Sequence, residues 1–217
     1  AAGMQLMDTA LEELVRSVAG RVPIVEDAAC AIGSTLGERP CGSFGIASCL
    51  SFHPRKVLTT GEGGMVLTDD GALASRVRQL RNHGQSAPGV FAEAGPNLRL
   101  GELAAALGLA QLDRLDATLA RRRALADRMR AGLAREGVDA TTQKPVPGAR
   151  PNEQTFGVVV PVGHSRDAVV AALHAEAIEA GRLSYALHRL SSVGPARLPE
   201  GGLPAGAHSF EARPRVE

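Results

Sequence analysis

The chain of 217 residues has few aromatic side chains, almost no net charge and no long apolar run. Aromatic residues make up 3% of it, which argues against the stacking platforms that bind single-stranded nucleic acid. Lysine plus arginine number 24 and aspartate plus glutamate 23, so a net charge of +1 gives no electrostatic case for a nucleic-acid or membrane partner. No segment approaches the ~20 consecutive apolar residues that cross a bilayer. These absences favour a globular protein with neither kind of partner.

Cysteine is also scarce, with Cys30, Cys41 and Cys49 in no C-x-x-C pattern. An odd number of cysteines argues against a disulfide framework and favours a reducing compartment. The first residues show no basic region followed by an apolar run, so we predict no signal peptide and a cytoplasmic location. His53 and His83 belong to no cluster with metal-ligand spacing, so no metal site is predicted.

Hydrophobic spacing predicts alternating helices and short strands. Predicted helices lie at residues 4–18, 73–84, 101–136 and 165–177, the last with Ser165 as its N-cap, and predicted strands at 22–25 (a buried parallel strand), 47–52, 65–68, 156–160 and 178–183. Residues 85–96 and 140–153 have the composition of loops. The run Arg121 to Arg123 lies on the third helix, where such charges usually form a solvated face.

This order predicts an α/β fold in two parts. Residues 1–115 are expected to form the later part of a mixed, mostly parallel sheet with flanking helices. Residues 116–217 are expected to form a long linking helix and a small α+β domain.

The segment from Ser51 to Met65, SFHPRKVLTTGEGGM, carries the densest chemistry. Lys56 follows a predicted strand and precedes a glycine turn, so we place it at the edge of the sheet where α/β proteins bind ligands. Partial burial there favours the neutral amine, which is the nucleophile that forms Schiff bases. By composition alone, a solvated surface lysine is the more common case.

Asp27 ends the apolar strand VPIVED, and Ser51 ends the next one. A carboxylate at a strand end can hold a proton on the ring nitrogen of a pyridine cofactor, and a hydroxyl can donate to a phosphate oxygen. Taken singly, an aspartate in a turn or at a helix N-cap and an ordinary turn serine are the simpler alternatives. Two neighbouring strand ends can nevertheless present Asp27 and Lys56 to one crevice.

Four strings occur in a characteristic order: EDAACA (26–31), SFHPRK (51–56) with TGEGG (60–64), RNHG (81–84), and NLRL (97–100) running into AAALGLAQL (104–112). Together they resemble the DegT/DnrJ/EryC1/StrS family of pyridoxal-phosphate (PLP)-dependent sugar aminotransferases, over roughly residues 10–190. A single glycine turn would be a weak signal, whereas four separate strings in order are specific.

The resemblance implies an aspartate-aminotransferase-like fold (PLP fold type I), PLP as the cofactor and a homodimer. It also implies transfer of an amino group from glutamate or glutamine to a keto sugar carried on a nucleotide. By position, Lys56 matches the lysine that forms the internal aldimine, Asp27 the aspartate that pairs with the pyridine nitrogen, and Ser51 the serine that contacts the cofactor phosphate. Asn97 matches an asparagine expected to reach the phosphate of the partner subunit.

His188 matches a region near the substrate in relatives, and Cys30 stands where many relatives have Gln or His near the cofactor ring. Nothing in residues 1–25 resembles the early part of the family's large domain, so we expect this chain to be a fragment. Two other functions stay open. One is a truncated or degenerate relative that only folds or dimerises. The other is a PLP sugar dehydratase, a branch in which histidine replaces the lysine that is kept here as Lys56.

Overall fold

The computed structural model of the chain describes residues 22–138 and 140–183. These residues form two compact units, the first made of 22–132 with 144–156 and the second of 133–143 with 157–183. The helix predicted at residues 4–18 and the site residue His188 lie outside the described residues. The division into domains 1–115 and 116–217 stays a prediction.

Short strands and four helices make up the regular structure of the described residues. The strands are β1 (Val25–Asp27), β2 (Thr35–Leu36), β3 (Arg39–Pro40), β4 (Ala47–Ser51), β5 (Gly64–Leu67), β6 (Gln85–Ala87), β7 (Val90–Phe91), β8 (Thr141–Thr142), β9 (Ala149–Arg150) and β10 (Val158–Val159). The helices are α1 (Gly71–Leu80), α2 (Glu102–Leu112), α3 (Leu115–Arg135) and α4 (Arg166–Ala175).

One three-stranded sheet of the first unit has the strand order β1-β4-β5. β1 runs parallel to β4, with Asp27 opposite Cys49, and β4 runs antiparallel to β5. Among the described strands this sheet is therefore mixed rather than mostly parallel. The first strand begins at Val25 instead of Val22, and the prediction that it is buried was wrong, because Val25 is 61% exposed.

The helix predicted from residue 101 to 136 is two helices. The break falls at Asp113 and Arg114, where the N–H of Arg114 donates to the carbonyl of Gln111 and tightens the chain into a turn. The sequence holds no Gly or Pro at this point, so its periodicity gave no sign of the break. Asp70 caps α1 by accepting from the N–H groups of Ala72 and Leu73.

The remaining predictions, for one helix cap, two loops and one strand, had mixed outcomes. Ser165 caps α4 as predicted, accepting a hydrogen bond from the N–H of Ala168 at 3.2 Å. The loop at 85–96 contains the β6–β7 hairpin, and the loop at 140–153 contributes β8, which pairs with β10, and β9, which pairs with β2. Residues 178–183 hold no strand. Within 22–138 and 140–183, no helix is both long and apolar enough to span a membrane.

Burial is uneven between the helices. Leu119 on α3 is 4% exposed and belongs to a core that also contains Phe52 and Leu58. By contrast, α2 is apolar along most of its length, and its leucines lie at the surface: Leu103 is 90% exposed and Leu109 65%. The described core is therefore concentrated under the sheet and α3.

Candidate functional site

Asp27 and Ser51 are the last residues of two neighbouring parallel strands. Because Asp27 lies opposite Cys49, the end of β4 reaches two residues farther, and both side chains stand at the same edge of the sheet. Asp27 Oδ1 accepts from the N–H of Ala29 at 3.1 Å, and Ser51 Oγ accepts from the N–H of His53 at 3.4 Å. Within the described part of the chain, Asp27 Oδ2 and the Ser51 hydroxyl proton make no hydrogen bond.

Lys56 lies on the connection between β4 and β5, residues 52–63, which we call the lysine loop. The N–H of Lys56 donates to the carbonyl of His53 at 2.9 Å, and the N–H of Thr60 donates to that of Phe52 at 3.0 Å, closing the neck of the loop. The lysine is half-buried, and its Nζ donates to Cys30 Sγ at 2.8 Å. Since Cys30 follows Asp27 by three residues, this bond joins the loops that leave the two strand ends.

Helix α2 anchors the far side of the lysine loop. Gln111 Oε1 accepts from the N–H of Thr59 at 3.2 Å, and its Nε2 donates to the Thr59 carbonyl. Within the loop, the side chains of Phe52, Leu58 and Thr60 are buried. The Gln111 side chain and the buried residues of the loop therefore hold the backbone on both sides of Lys56.

The segment after β1, residues 28–34, is clamped from the opposite side; we call it the β1 loop. Asn152, which is 4% exposed, donates from Nδ2 to the carbonyls of Cys30 and Ile32 at 2.9 Å each. Its backbone N–H donates to the buried Ser34 hydroxyl at 3.0 Å. The backbone that carries Cys30 is thus fixed by one buried amide.

Two arginines of α3 complete this clamp. Arg123 donates to the carbonyls of Pro151 at 2.8 Å and Gly33 at 2.9 Å, and Arg122 donates to those of Glu153 and Gln154. Burial, and then the neighbouring Arg150, lower the pKa of the Arg123 guanidinium. The expectation of a solvated arginine face was therefore wrong for Arg122 and Arg123.

Glu26 fixes a third segment beside the site. Its side chain leaves β1 on the opposite face from Asp27. The carboxylate accepts from the backbone N–H groups of Gly42 at 2.8 Å, of Gly45 at 2.7 Å and of Phe44. Burial, and then the charge of Glu26, raise the pKa of the nearby Cys41 thiol.

Asn97 and His188 are not brought to this edge by the described structure. Asn97 is exposed, pairs through its backbone with Asn82, and accepts at Oδ1 from the N–H of Arg99 at 3.4 Å. No hydrogen bond among the described residues joins it to Asp27, Ser51 or Lys56. His188 lies outside those residues.

Sequence reasoning missed the supports of the site, which are Glu26, Gln111, Arg123 and Asn152, and it missed the contact between Cys30 and Lys56. Glu26 had a signal, because a second acidic residue at a strand end precedes a glycine-rich stretch. Asn152 lies 122 residues from Cys30 in sequence, and Arg123 lies 90 residues from Gly33, so no local pattern could identify these contacts.

Comparison with known proteins gives this geometry a context. The chain matches the model of the DegT/DnrJ/EryC1/StrS aminotransferase family over residues 9–199. It is 36% identical over 171 residues to GDP-perosamine synthase of Caulobacter vibrioides, covering 76% of this chain and 46% of that protein. It is 38% identical over 136 residues to L-glutamine:2-deoxy-scyllo-inosose aminotransferase of Micromonospora echinospora, covering 57% of this chain and 32% of that protein.

Among solved structures, DesV of S. venezuelae in complex with a ketimine intermediate superposes with a TM-score of 0.78 at 35% identity, covering 93% of this chain and 53% of that one. This likeness confirms the predicted α/β fold of the type I PLP enzymes. The chain spans about half or less of the length of each of these relatives. Since the family model matches most of its residues, the chain belongs to the DegT/DnrJ/EryC1/StrS aminotransferase family.

Proposed function

We propose that this chain carries the lysine-bearing side of a PLP site in an enzyme that transfers an amino group to a nucleotide-linked keto sugar. The observation that carries the proposal is the placement of Lys56. Its Nζ lies within 2.8 Å of the loop that follows Asp27, at the edge where β1 and β4 end together. A nucleophilic amine and a carboxylate therefore lie at the same edge of the sheet.

The residues at this edge fit the chemistry of PLP, which has an aldehyde, a pyridine nitrogen and a phosphate. Lys56 offers an amine to the aldehyde. Asp27 offers Oδ2, which no described residue engages, to a protonated ring nitrogen. Ser51 offers a hydroxyl proton to a phosphate oxygen. Each of the three groups thus has a counterpart on the cofactor.

Each residue then has a defined task. Asp27 Oδ2 would keep a proton on the ring nitrogen, and Ser51 Oγ would orient the phosphate. Lys56 Nζ would hold the cofactor and, as a free amine, would accept the proton that leaves the donor's α-carbon. When bound, PLP supplies the electron sink that makes this proton acidic enough to leave. The clamps by Asn152 and Gln111 keep both loops in register while the amine moves.

The names of the relatives support the substrate class. One relative is named as a GDP-perosamine synthase, and another as an L-glutamine:2-deoxy-scyllo-inosose aminotransferase. We assign to the complete enzyme a nucleotide-linked keto sugar as acceptor and glutamate or glutamine as donor. We further assign a homodimer in which Asn97, exposed near α2, reaches the cofactor phosphate of the partner. The retained Lys56 favours transamination over the dehydratase alternative.

The test is a visible absorbance spectrum of the purified chain with added PLP, before and after borohydride. We expect a band from PLP bound to the chain that borohydride fixes, with peptide mapping placing the label on Lys56. Lys56→Ala removes the band. Lys144→Ala is the matched control, because Lys144 is the other lysine of the chain and lies exposed on a loop.

Two results would contradict the proposal. One is a folded chain, shown by circular dichroism, that gives no band at saturating PLP. The other is a label that survives in Lys56→Ala. Either outcome would favour a non-catalytic relative that only folds or dimerises.

A further inference from the structure

The contact between Cys30 and Lys56 holds the lysine in place and also brings together two groups that can react with each other. The chain contains three cysteines and two lysines. In residues 22–138 and 140–183, Cys30 Sγ with Lys56 Nζ is the one pair of thiol and lysine amine at hydrogen-bond distance, 2.8 Å. The two atoms belong to different loops, 26 residues apart in sequence. A single covalent bond between them would therefore join the two loops that leave the strand ends.

We propose that Cys30 and Lys56 form an oxidation-dependent cross-link, a sulfenamide, when the protein meets hydrogen peroxide. In the first step the Cys30 sulfur attacks one peroxide oxygen. The O–O bond breaks, and Cys30 becomes a sulfenic acid while one water is released. The sulfur loses two electrons and the peroxide oxygens gain them.

In the second step the neutral Lys56 amine attacks the sulfenic sulfur. The S–N bond forms and the S–O bond breaks. The departing hydroxide takes a proton from the nitrogen and leaves as water, with no further oxidation. Two molecules of thiol reverse the change: the first breaks the S–N bond and releases the amine, and the second frees Cys30 and leaves as a disulfide with the first.

Local structure favours Cys30 over the other two cysteines. Cys30 is half-buried, and its backbone is held by Asn152, while the turn at His53 holds Lys56, so capture needs little rearrangement. Burial and Glu26 raise the pKa of Cys41, which disfavours the thiolate that attacks peroxide. Cys49 is exposed, but no lysine contacts it among the described residues.

The consequence for catalysis rests on the proposed function. A lysine tied to Cys30 cannot bind PLP, and PLP bound to Lys56 leaves no amine for the cross-link. Loading of the cofactor and oxidation of the pair would then exclude each other. The cross-link itself requires no cofactor, so it can be tested on the chain alone.

The experiment is peptide mapping by mass spectrometry after a titration of the chain with hydrogen peroxide. We expect a joined peptide that contains Cys30 and Lys56 and is lighter by two hydrogen atoms than the two separate peptides. Dithiothreitol should release both peptides. Cys30→Ser and Lys56→Arg should each abolish the product, and Cys49→Ser and Lys144→Arg should leave it unchanged, with circular dichroism showing that all four variants fold.

A second measurement tests the geometry without any oxidant. The reagent o-phthalaldehyde forms a fluorescent isoindole from a thiol and a primary amine that lie side by side. The native chain should develop this fluorescence, and Cys30→Ser and Lys56→Arg should lose most of it. Unfolding the chain in guanidinium before adding the reagent should lose it as well.

The inference is overturned if Cys30 proceeds to the sulfinic acid while the Lys56 peptide stays separate. It is also overturned if the joined peptide contains Lys144 or retains an additional oxygen. A chain that forms the cross-link but shows no PLP band contradicts the proposed function alone. A chain that shows the band but forms no cross-link contradicts this inference alone.

Discussion

The β1 loop and helix α2 belong to the same compact unit and are held differently. The β1 loop is fixed by polar contacts to its backbone: Asn152 and Arg123 bind its carbonyls, and the Ser34 hydroxyl accepts from Asn152. Helix α2 meets the lysine loop through the polar side chain of Gln111, while Leu103 and Leu109 stay exposed.

This difference separates two requirements of the site. Hydrogen bonds made within the chain set the positions of Cys30 and Lys56, because each carbonyl accepts only from certain directions. Apolar packing sets the placement of a helix, and the outer face of α2 has little of it among the described residues. Exposed apolar patches of this kind are typical of surfaces that bind another protein surface.

The largest expected effect is the loss of the buried Leu119 beneath the β1 loop, which we compare with the loss of an exposed leucine of α2. Leu119 is 4% exposed and packs against the backbone at Gly33, whose positive φ of 74° and missing side chain leave room for it. Leu119→Ala should lower the free energy of unfolding by about 3 kcal/mol, because it opens a cavity beneath the β1 loop. Leu103→Ala, at 90% exposure, should change it by less than about 0.5 kcal/mol.

Urea denaturation of the two variants measures both values. An equal loss in both variants would break the comparison, since it would mean that α2 is packed in solution against a surface the structure does not show. If Leu119→Ala lowered the free energy of unfolding only slightly, the polar clamps would be holding the β1 loop without help from the core.

The second prediction compares two asparagines. Asn152→Ala leaves the carbonyls of Cys30 and Ile32 without this partner in a partly buried setting, and we expect a loss of about 2 kcal/mol in the free energy of unfolding. Asn97→Ala removes an exposed amide and should cost less than about 0.5 kcal/mol. Peptide-level hydrogen exchange should show faster exchange across residues 28–34 in Asn152→Ala only. Unchanged exchange there would mean that Arg123 and Leu119 suffice to hold the loop.

The smallest effect concerns Glu26 and Cys41. Glu26→Gln should cost about 1.5 kcal/mol, because the amide nitrogen that replaces Oε2 cannot accept from the N–H of Gly42, and the charge-assisted hydrogen bonds from Phe44 and Gly45 become neutral ones. The pKa of Cys41 is raised by burial and then by Glu26, so removing the charge should lower it part of the way toward its ordinary value.

The sign of the pH dependence follows from that raised pKa. Keeping Cys41 neutral contributes stability that is fully present below the unfolded-state pKa and is lost as the pH rises through the folded-state pKa. Glu26→Gln lowers the folded-state pKa of Cys41, so the pH range over which this stability is lost becomes narrower at its upper end. The rate of Cys41 alkylation against pH, followed by peptide mass, should therefore rise at lower pH in the variant. An unchanged profile would assign the whole shift to burial.

Local pattern predicted much of the described fold. The strands at 47–52 and 65–68 and the helix that begins near Leu73 lie where the apolar spacing placed them, and Ser165 caps α4 as its position indicated. The sequence predicted that Asp27 and Ser51 stand at strand ends, because alternation and turn residues mark where a strand stops. Tertiary effects account for the errors. The break at Asp113 interrupts an unbroken helical period, and β9 pairs with β2 across a long sequence separation.

The amino-acid sequence by itself determined the family of this protein and the identity of its candidate residues, because motif order and strand ends are properties of neighbouring residues. Only the tertiary structure decided what surrounds them. Three contacts join segments that lie from 16 to 122 residues apart in sequence: the hydrogen bond from Lys56 to Cys30, the hydrogen bonds made by Asn152, and those accepted by Glu26. Which buried carbonyl meets which side chain depends on how strands and helices pack, and short-range periodicity carries no record of that packing.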